Sequence, residues 1–236
     1  MLHRNFLNEE TSDVCFEISS SDVADVRSKR KRSKSSVKFH AHSQILQMCA
    51  PMLAALFAPE RDGELATASI TDVNPSIFRH LLFYVYGGSV PEDVLKLHAK
   101  EIIDTADKYS IVNLKLEAEA AYVESNDITM DNAIDNLLYA DAKNCALLKE
   151  AVLDFLAENS VEAAQNISFS DVPGHIINDL LVAVGRSKKS DGGGKNGDKY
   201  STMRVSELRR MLDEKGLDVD GPREAMIEAL KSSPES

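Results

Sequence analysis

Apolar and polar positions alternate at two places near the start of the chain. Val14, Phe16 and Ile18 fall on one face of the segment Ser12-Asp13-Val14-Cys15-Phe16-Glu17-Ile18, and in Phe39-His40-Ala41-His42 the phenylalanine and alanine face away from the two histidines. A period of two is that of a half-buried strand. The second segment runs into Ser43-Gln44-Ile45-Leu46-Gln47-Met48-Cys49, read as a helix, and the chain restarts helically from Ala50-Pro51 through Leu56-Phe57. Pro51 suits a first helical position, whereas Ala50 has no oxygen to cap it, which forgoes about 1 kcal/mol. Ile70-Thr71-Asp72-Val73 reads as a third strand leading into a helix with Asn74 as N-cap and Pro75 next. That helix sets Ile77, Phe78, Leu81, Leu82 and Val85 on one face and stops at Gly87-Gly88.

Farther along the period changes to that of helices. Thr129 is read as the cap of a helix carrying Ala133, Ile134, Leu137 and Leu138; after a turn at Lys143-Asn144, a second carries Leu147, Leu148, Val152, Phe155 and Leu156. So brief a turn predicts an antiparallel pair. One more short helix is expected near Pro173, packing Ile176, Ile177, Leu180 and Leu181 onto the pair. From Arg186 to Lys199 no large apolar residue occurs, and glycines cluster at 192–194, the composition of a flexible tether. Helical periodicity then resumes with Val205, Leu208 and Leu212, and again with Met226, Ile227 and Leu230.

Charge adds something the apolar pattern does not contain. The 236 residues carry a net −11, but residues 39–185 hold 8 Lys+Arg against 22 Asp+Glu, while 27–38 hold seven cations and no acid. An acidic body repels nucleic acid, so any such binding has to come from the basic segment or the tail. The basic segment lies between the first two strands as a solvated loop, and Lys29, Arg30, Lys31 and Arg32 form a candidate nuclear localisation signal. The alternative is a loop that is merely soluble. Interleaved serines would let phosphorylation cancel its charge. Cys15, Cys49 and Cys145 are odd in number and widely spaced, which predicts reduced, buried thiols. No apolar run approaches the roughly 20 residues of a membrane helix, and no membrane partner is expected.

Four of these blocks resemble the BTB/POZ family, whose members read Phe-x-Ala-His-x-x-x-Leu and then Ser-Pro-x-Phe. They are the opening strand at 12–18, Phe39 to Phe57, the capped strand-helix at 70–85, and Ile102 to Ile111, which is close to the family's Leu-x-x-Ala-Asp-x-Tyr. The resemblance implies an α+β, mainly helical fold, a small sheet with helical hairpins over residues 1–124, with 27–38 as a basic insertion. It also implies a homodimer formed through the N-terminal segment and first helices. Residues 125–185 look like the helical pair after the BTB domain in speckle-type POZ proteins, the 3-box, which in that family extends the surface gripping cullin-3. Carried onto this chain, the candidate cullin contacts are Leu56, Phe57, Arg61, Asp62, Leu65, Tyr109, Leu147 and Leu148. The alternative for the pair is a stabilising cap. Relatives that bind cullin often place a hydrophobic-x-Glu triplet in the loop after Phe57; here 58–65 reads Ala-Pro-Glu-Arg-Asp-Gly-Glu-Leu, putting Arg61 or Asp62 where the apolar anchor belongs.

After the tether (186–200), residues 201–233 resemble the SAP motif, a two-helix module associated with DNA and chromatin. Its signature is met by Leu208, Leu212, Gly216, Leu217, Gly221, Arg223, Met226, Ile227 and Leu230. Candidate DNA contacts are Arg204, Arg209, Arg210, Lys215 and Arg223. From Lys199 onward 7 Lys+Arg face 8 Asp+Glu, so binding is expected to be weak, salt-sensitive and largely sequence-independent. The alternative is a protein-docking module.

Nothing in the sequence asks for catalysis or a cofactor. His40 and His42 share a strand face without a third ligand at motif spacing, and Asp13 reads as a conformational acid. The expected function is a nuclear, dimeric adaptor recruiting an unidentified protein substrate to a cullin-3 RING ubiquitin ligase, with the SAP module contacting DNA or chromatin. The rival is a non-ligase scaffold or chromatin regulator.

Overall fold

The computed structural model describes residues 6–19, 36–57, 65–168, 170, 172–189 and 199–233. They form two units, residues 1–118 and 119–236.

The first unit is built on a three-stranded sheet, β1 (Val14–Ser19), β2 (Ser36–Ala41) and β3 (Ala66–Ile70), in the order β2-β1-β3. β1 runs antiparallel to β2, with Val14 opposite Ala41 and Ser19 opposite Ser36, and parallel to β3. The basic segment therefore joins antiparallel neighbours, although Lys29 to Arg32 lie outside the described residues. The third strand ends at Ile70, where the sequence pattern had it begin; Asp72 is instead tied to Lys108 on a later helix, 2.7 Å from its Nζ. Helices α1 (Ser43–Cys49), α2 (Pro51–Ala54), α3 (Pro75–Val85), α4 (Glu92–Leu97) and α5 (Ala99–Lys108) follow, and the boundary between units falls within α6 (Val112–Ser125).

Aromatic rings fill this core. Phe16, Ile18, Leu46, Leu53, Phe78 and Leu82 are buried. Phe78 meets Phe16, Phe39 and Tyr109 edge-on at centroid distances of 5.0, 5.5 and 6.5 Å, and Phe16 meets Phe57 at 4.9 Å. Edge-on pairs of this kind contribute about 0.5–1.5 kcal/mol beyond burial. α3 begins as its sequence implies, the Asn74 side chain accepting from the Ser76 N–H at 2.9 Å. It stops because Gly87 is left-handed (φ 81°) and a Cβ on Gly88 would sit 2.3 Å from the Phe83 ring. α2 has Pro51 at its start and no side-chain cap, as the alanine at 50 dictates.

The second unit contains α7 (Ala133–Ala142), α8 (Ala146–Glu158), α9 (Ser160–Asn166), α10 (Gly174–Lys189), α11 (Val205–Glu214) and α12 (Arg223–Ser232), with a 3₁₀ turn at Lys199–Thr202. α7 starts three residues later than a cap at Thr129 implies, with Asn132 at the cap position. Thr129 contributes only its backbone there: its N–H donates to Asn132 Oδ1 and its carbonyl accepts from Ala133. Asn144 makes the α7–α8 turn in the left-handed region (φ 53°). The helix expected to be short runs for 16 residues and takes in Arg186 to Lys189, which the composition assigned to the tether. It buries Ile176 and Ala183, whereas Leu181, expected to pack, is exposed. α11 and α12 pack through Val205, Leu208, Leu212, Met226 and Leu230, and their turns use Gly216 (φ 65°) and Gly221 (φ 118°).

Candidate functional site

In the first unit, the residues that drew attention as candidate chemistry form a structural clasp. Asp13 accepts from the Ser43 N–H at 2.7 Å and from the Ser43 hydroxyl, so β1 holds the first turn of α1. Burial alone would raise the Asp13 carboxyl, but the Ser43 hydrogen bonds outweigh it and hold it below its ordinary value. His42 is fixed by Tyr86 Oη, 2.7 Å from its Nδ1, and by Thr11 Oγ1, 2.8 Å from its Nε2. Burial pushes the Tyr86 phenol up to about 12. Among the described residues no three His, Cys, Asp or Glu side chains converge on a point. Cys15 and Cys145 are buried as expected, but Cys49 is exposed at the end of α1.

This clasp sets the angle at which α1 and α2 leave the sheet, and these helices carry exposed apolar side chains. Met48 is 82% exposed, Met52 51% and Leu56 44%. Solvated methionines on adjacent turns are adaptable apolar contacts.

In the second unit two buried carboxylates do what neither composition nor periodicity announced. Glu119 Oε1 accepts from the backbone N–H groups of Leu147 and Leu148, at 2.8 and 3.1 Å, and so caps the start of α8. Its other oxygen lies 2.8 Å from Arg209 Nη2 of α11. Glu150, on α8, accepts from the Val205 N–H at 3.1 Å through Oε2 and thereby caps α11. Arg223 and Arg204 stand 3.9 and 4.0 Å from its two oxygens, and Arg204 also pairs with Asp154. Helix N-termini favour anions, so each carboxylate meets both a helix end and an arginine. Ala146 belongs to the α11–α12 core cluster, and Leu147 packs against it. A second network joins α7, α8 and α10, where Lys149 Nζ lies 2.8 Å from Asp141 and 2.7 Å from Asp179, and His175 lies 2.9 Å from Asp141. A cavity of about 100 Å³ beside Cys145 is bordered by these same paired groups.

Comparison with known proteins names the parts. The BTB/POZ domain model matches residues 2–126, more than half of the chain. The chain belongs to the BTB/POZ family. The SAP domain model matches residues 199–233. The chain is similar to BTB/POZ and MATH domain-containing protein 4 of Arabidopsis thaliana, 28% identical over 80% of this chain and 41% of that protein. It is also similar to TD and POZ domain-containing protein 1-like of Mus musculus, 31% identical over 54% of this chain and 35% of that protein. The chain thus spans well under half the length of these curated relatives. A BTB/POZ domain is a protein-interaction module, and no helix among the described residues is long and apolar enough to cross a membrane.

The BTB/POZ fold scatters the candidate cullin contacts. Leu56 and Leu65 are exposed, while Phe57 is half-buried against Phe16. Tyr109 and Leu148 are in the interior, because Tyr109 packs on Phe78 and Leu148 forms the underside of α8. In this conformation they build the core and offer no surface. Leu147 is turned to the SAP core. Arg61 and Asp62 lie outside the described residues. The candidate DNA contacts are brought together, but around carboxylates: Arg209 and Arg223 are mostly buried, and Arg204 holds Asp154. Arg210 is exposed and pairs with Glu214 at 2.7 Å, and Lys215 donates to Ser233 Oγ at 3.2 Å. Sequence reading missed Glu119 and Glu150, because no local signal marks either acid as buried.

Proposed function

We propose that this BTB/POZ chain is a dimeric, nuclear adaptor that brings a protein target to a cullin-3 RING ubiquitin ligase, its SAP module binding DNA or chromatin. The observation that carries this reading is the exposure of Met48 on α1, Met52 on α2 and Leu56 in the turn after it, beside the Asp13–Ser43 and His42–Tyr86 contacts. Met48 and Met52 suit pairing with a second copy; Leu56 and Leu65 suit an apolar pocket on the cullin. The helical extension α7–α8 follows the domain directly, as in the relatives it resembles. Transfer of ubiquitin would follow from proximity, without a catalytic residue here, and dimerisation would give two SAP modules whose avidity offsets weak single-site binding.

A second reading is favoured by the burial of Tyr109 and Leu148 and by Leu147 lying against the SAP module. In that reading the BTB dimer is a scaffold without ligase contact. Calorimetric titration of the full chain with the N-terminal domain of cullin-3 separates the two. Binding at about 10 μM or tighter, weakened by Leu56→Asp, supports the adaptor. Absence of heat at that concentration leaves the scaffold.

A further inference from the structure

The SAP module is seated on the helices before it through the very side chains that a polyanion would need. Arg209 reaches Glu119 and Arg204 reaches Glu150 and Asp154, while Arg223 lies 3.9 Å from Glu150 and also donates to the Ser201 and Met203 carbonyls within the module. Of the five candidate phosphate contacts, the remaining two are Arg210, paired with Glu214, and Lys215, bonded to Ser233. We infer that this seat is an autoinhibited state: the arginines of the SAP module become available to nucleic-acid phosphates only when the module leaves Glu119 and Glu150.

Three features support a seat that can be vacated. The first is that its polar contacts are imperfect. Arg209 Nε and Nη2 and Glu119 Oε2 are buried without a well-aimed hydrogen bond, although the ion pair is close. Buried polar atoms left in that state cost stability, so docking carries a penalty that phosphate contacts in solvent would not. The second is that the module keeps its own core. Val205, Leu208, Leu212, Met226 and Leu230 pack on one another, and from the preceding helices the cluster takes only Ala146, with Leu147 alongside. Little apolar area is surrendered on release. The third is that one of the two carboxylates keeps its purpose when the arginines depart. Glu119 still caps α8 through Leu147 and Leu148.

The same geometry says which ligand opens the seat. A DNA backbone offers a row of anions that can replace Glu119, Glu150 and Asp154 one for one, and its gain grows with each arginine neutralised. Binding is thus an exchange of carboxylate for phosphate, and the apparent affinity falls short of the intrinsic one by the fraction of molecules that are open.

This inference rests on the nucleic-acid reading of the SAP module, and the test separates the two. Binding of a labelled random-sequence DNA duplex to the full chain is followed by fluorescence anisotropy, for the wild type and for Glu119→Gln/Glu150→Gln. Glutamine retains a capping oxygen but releases the arginines. The control is Glu158→Gln/Glu162→Gln, which makes the same change in net charge at two exposed positions. The expected result is a gain of about tenfold or more in the first variant, less than about twofold in the control, and loss of the gain when Arg204, Arg209 and Arg223 are also replaced by alanine. Should the first variant fold poorly, amide exchange of the wild type gives the same answer. The N–H groups of Leu147, Leu148 and Val205 are held by the two carboxylates, and Val205 exchanges faster once duplex is bound. Duplex bound with Val205 protection unchanged, or equal gains in both variants, overturns the autoinhibited seat and leaves the DNA reading standing. No binding by the folded, opened variant overturns both.

Discussion

The two units of this chain solve the problem of holding helices together in opposite ways. In the first, the centre is aromatic: Phe78 touches Phe16, Phe39 and Tyr109, and polar contacts such as Asp13–Ser43 lie at the edge. Its buried cation, Lys115, reaches Asp107, a near neighbour in sequence, 2.9 Å away and part-exposed. In the second, the centre is crossed by carboxylates. Glu119 and Glu150 are buried and tie segments far apart in sequence through helix N-termini and arginines. An aromatic core has no alternative partner in water. A carboxylate–arginine seat has many, including phosphate, and that makes the second unit the place where a ligand can intervene.

The largest expected effect strikes the aromatic side of the comparison. Phe78→Ala removes three edge-on contacts and opens a cavity, and is expected to cost about 3–5 kcal/mol. Urea denaturation measures it; a loss below about 1 kcal/mol would deny Phe78 its place as the hub. On the electrostatic side, Arg209→Met leaves Glu119 buried beside no cation. The expected cost is about 3 kcal/mol, and Arg209→Met/Glu119→Gln should recover most of it, because removing both charges avoids the orphaned carboxylate. A double variant as unstable as the single would show that the cost comes from lost packing instead. Third in size is Asp13→Ala. It deletes an acceptor for the Ser43 N–H and hydroxyl at the start of α1, and is expected to cost about 1 kcal/mol, as helix caps do. The variant should also loosen α1, and sedimentation equilibrium would then register a weakening of the self-association proposed for Met48 and Met52.

The same contrast decides what could be read from the sequence. Period-two alternation at Val14–Ile18 and Phe39–His42, the Asn74 cap, Gly87-Gly88 and the SAP stripe Val205-Leu208-Leu212 are local signals, and the chain folds as they say. The helix at 174–189 runs past its expected end because Arg186, Lys188 and Lys189 are good helix formers, which a composition reading takes for tether. Leu181 is exposed because Ala183, a residue small enough to be overlooked, takes the inner position. Tyr109 and Leu148 were assigned outward by analogy with a surface, whereas their burial follows from ring packing on Phe78 and from the capped first turn of α8. The arginine–carboxylate seat was invisible for a different reason. Each partner is an ordinary charged residue of a helix, and only the tertiary fold selects Glu119 and Glu150 from 38 acids.

The smallest expected effect comes from pH and tests whether the second unit's charges hold it together outside the SAP seat as well. Burial alone would raise the Asp141 carboxyl, but hydrogen bonds from Lys149 and His175 hold it below its ordinary value of 3.8. A depressed carboxyl contributes stability that is fully present above 3.8 and is lost as pH falls through the folded value. Burial would lower the Lys149 ammonium, yet Asp141 and Asp179 raise it above 10.5, so its share is complete below 10.5 and lost as pH rises through the folded value. Between these limits the Lys149–Asp141 and Lys149–Asp179 pairs keep their charges. All three side chains keep some solvent contact, so each flank is expected to change stability by no more than about 1 kcal/mol. Amide exchange, corrected for its intrinsic pH dependence, should show α8 weakening on both flanks, and Asp141→Asn should remove the acid flank while sparing β1. Salt sharpens the contrast. Raising ionic strength to about 1 M shortens the screening length to about 3 Å, which weakens Lys149–Asp141 but leaves the neutral Ser43 donors on Asp13 unaffected. Equal salt sensitivity in the two places would mean that the units do not differ in the way their buried groups imply.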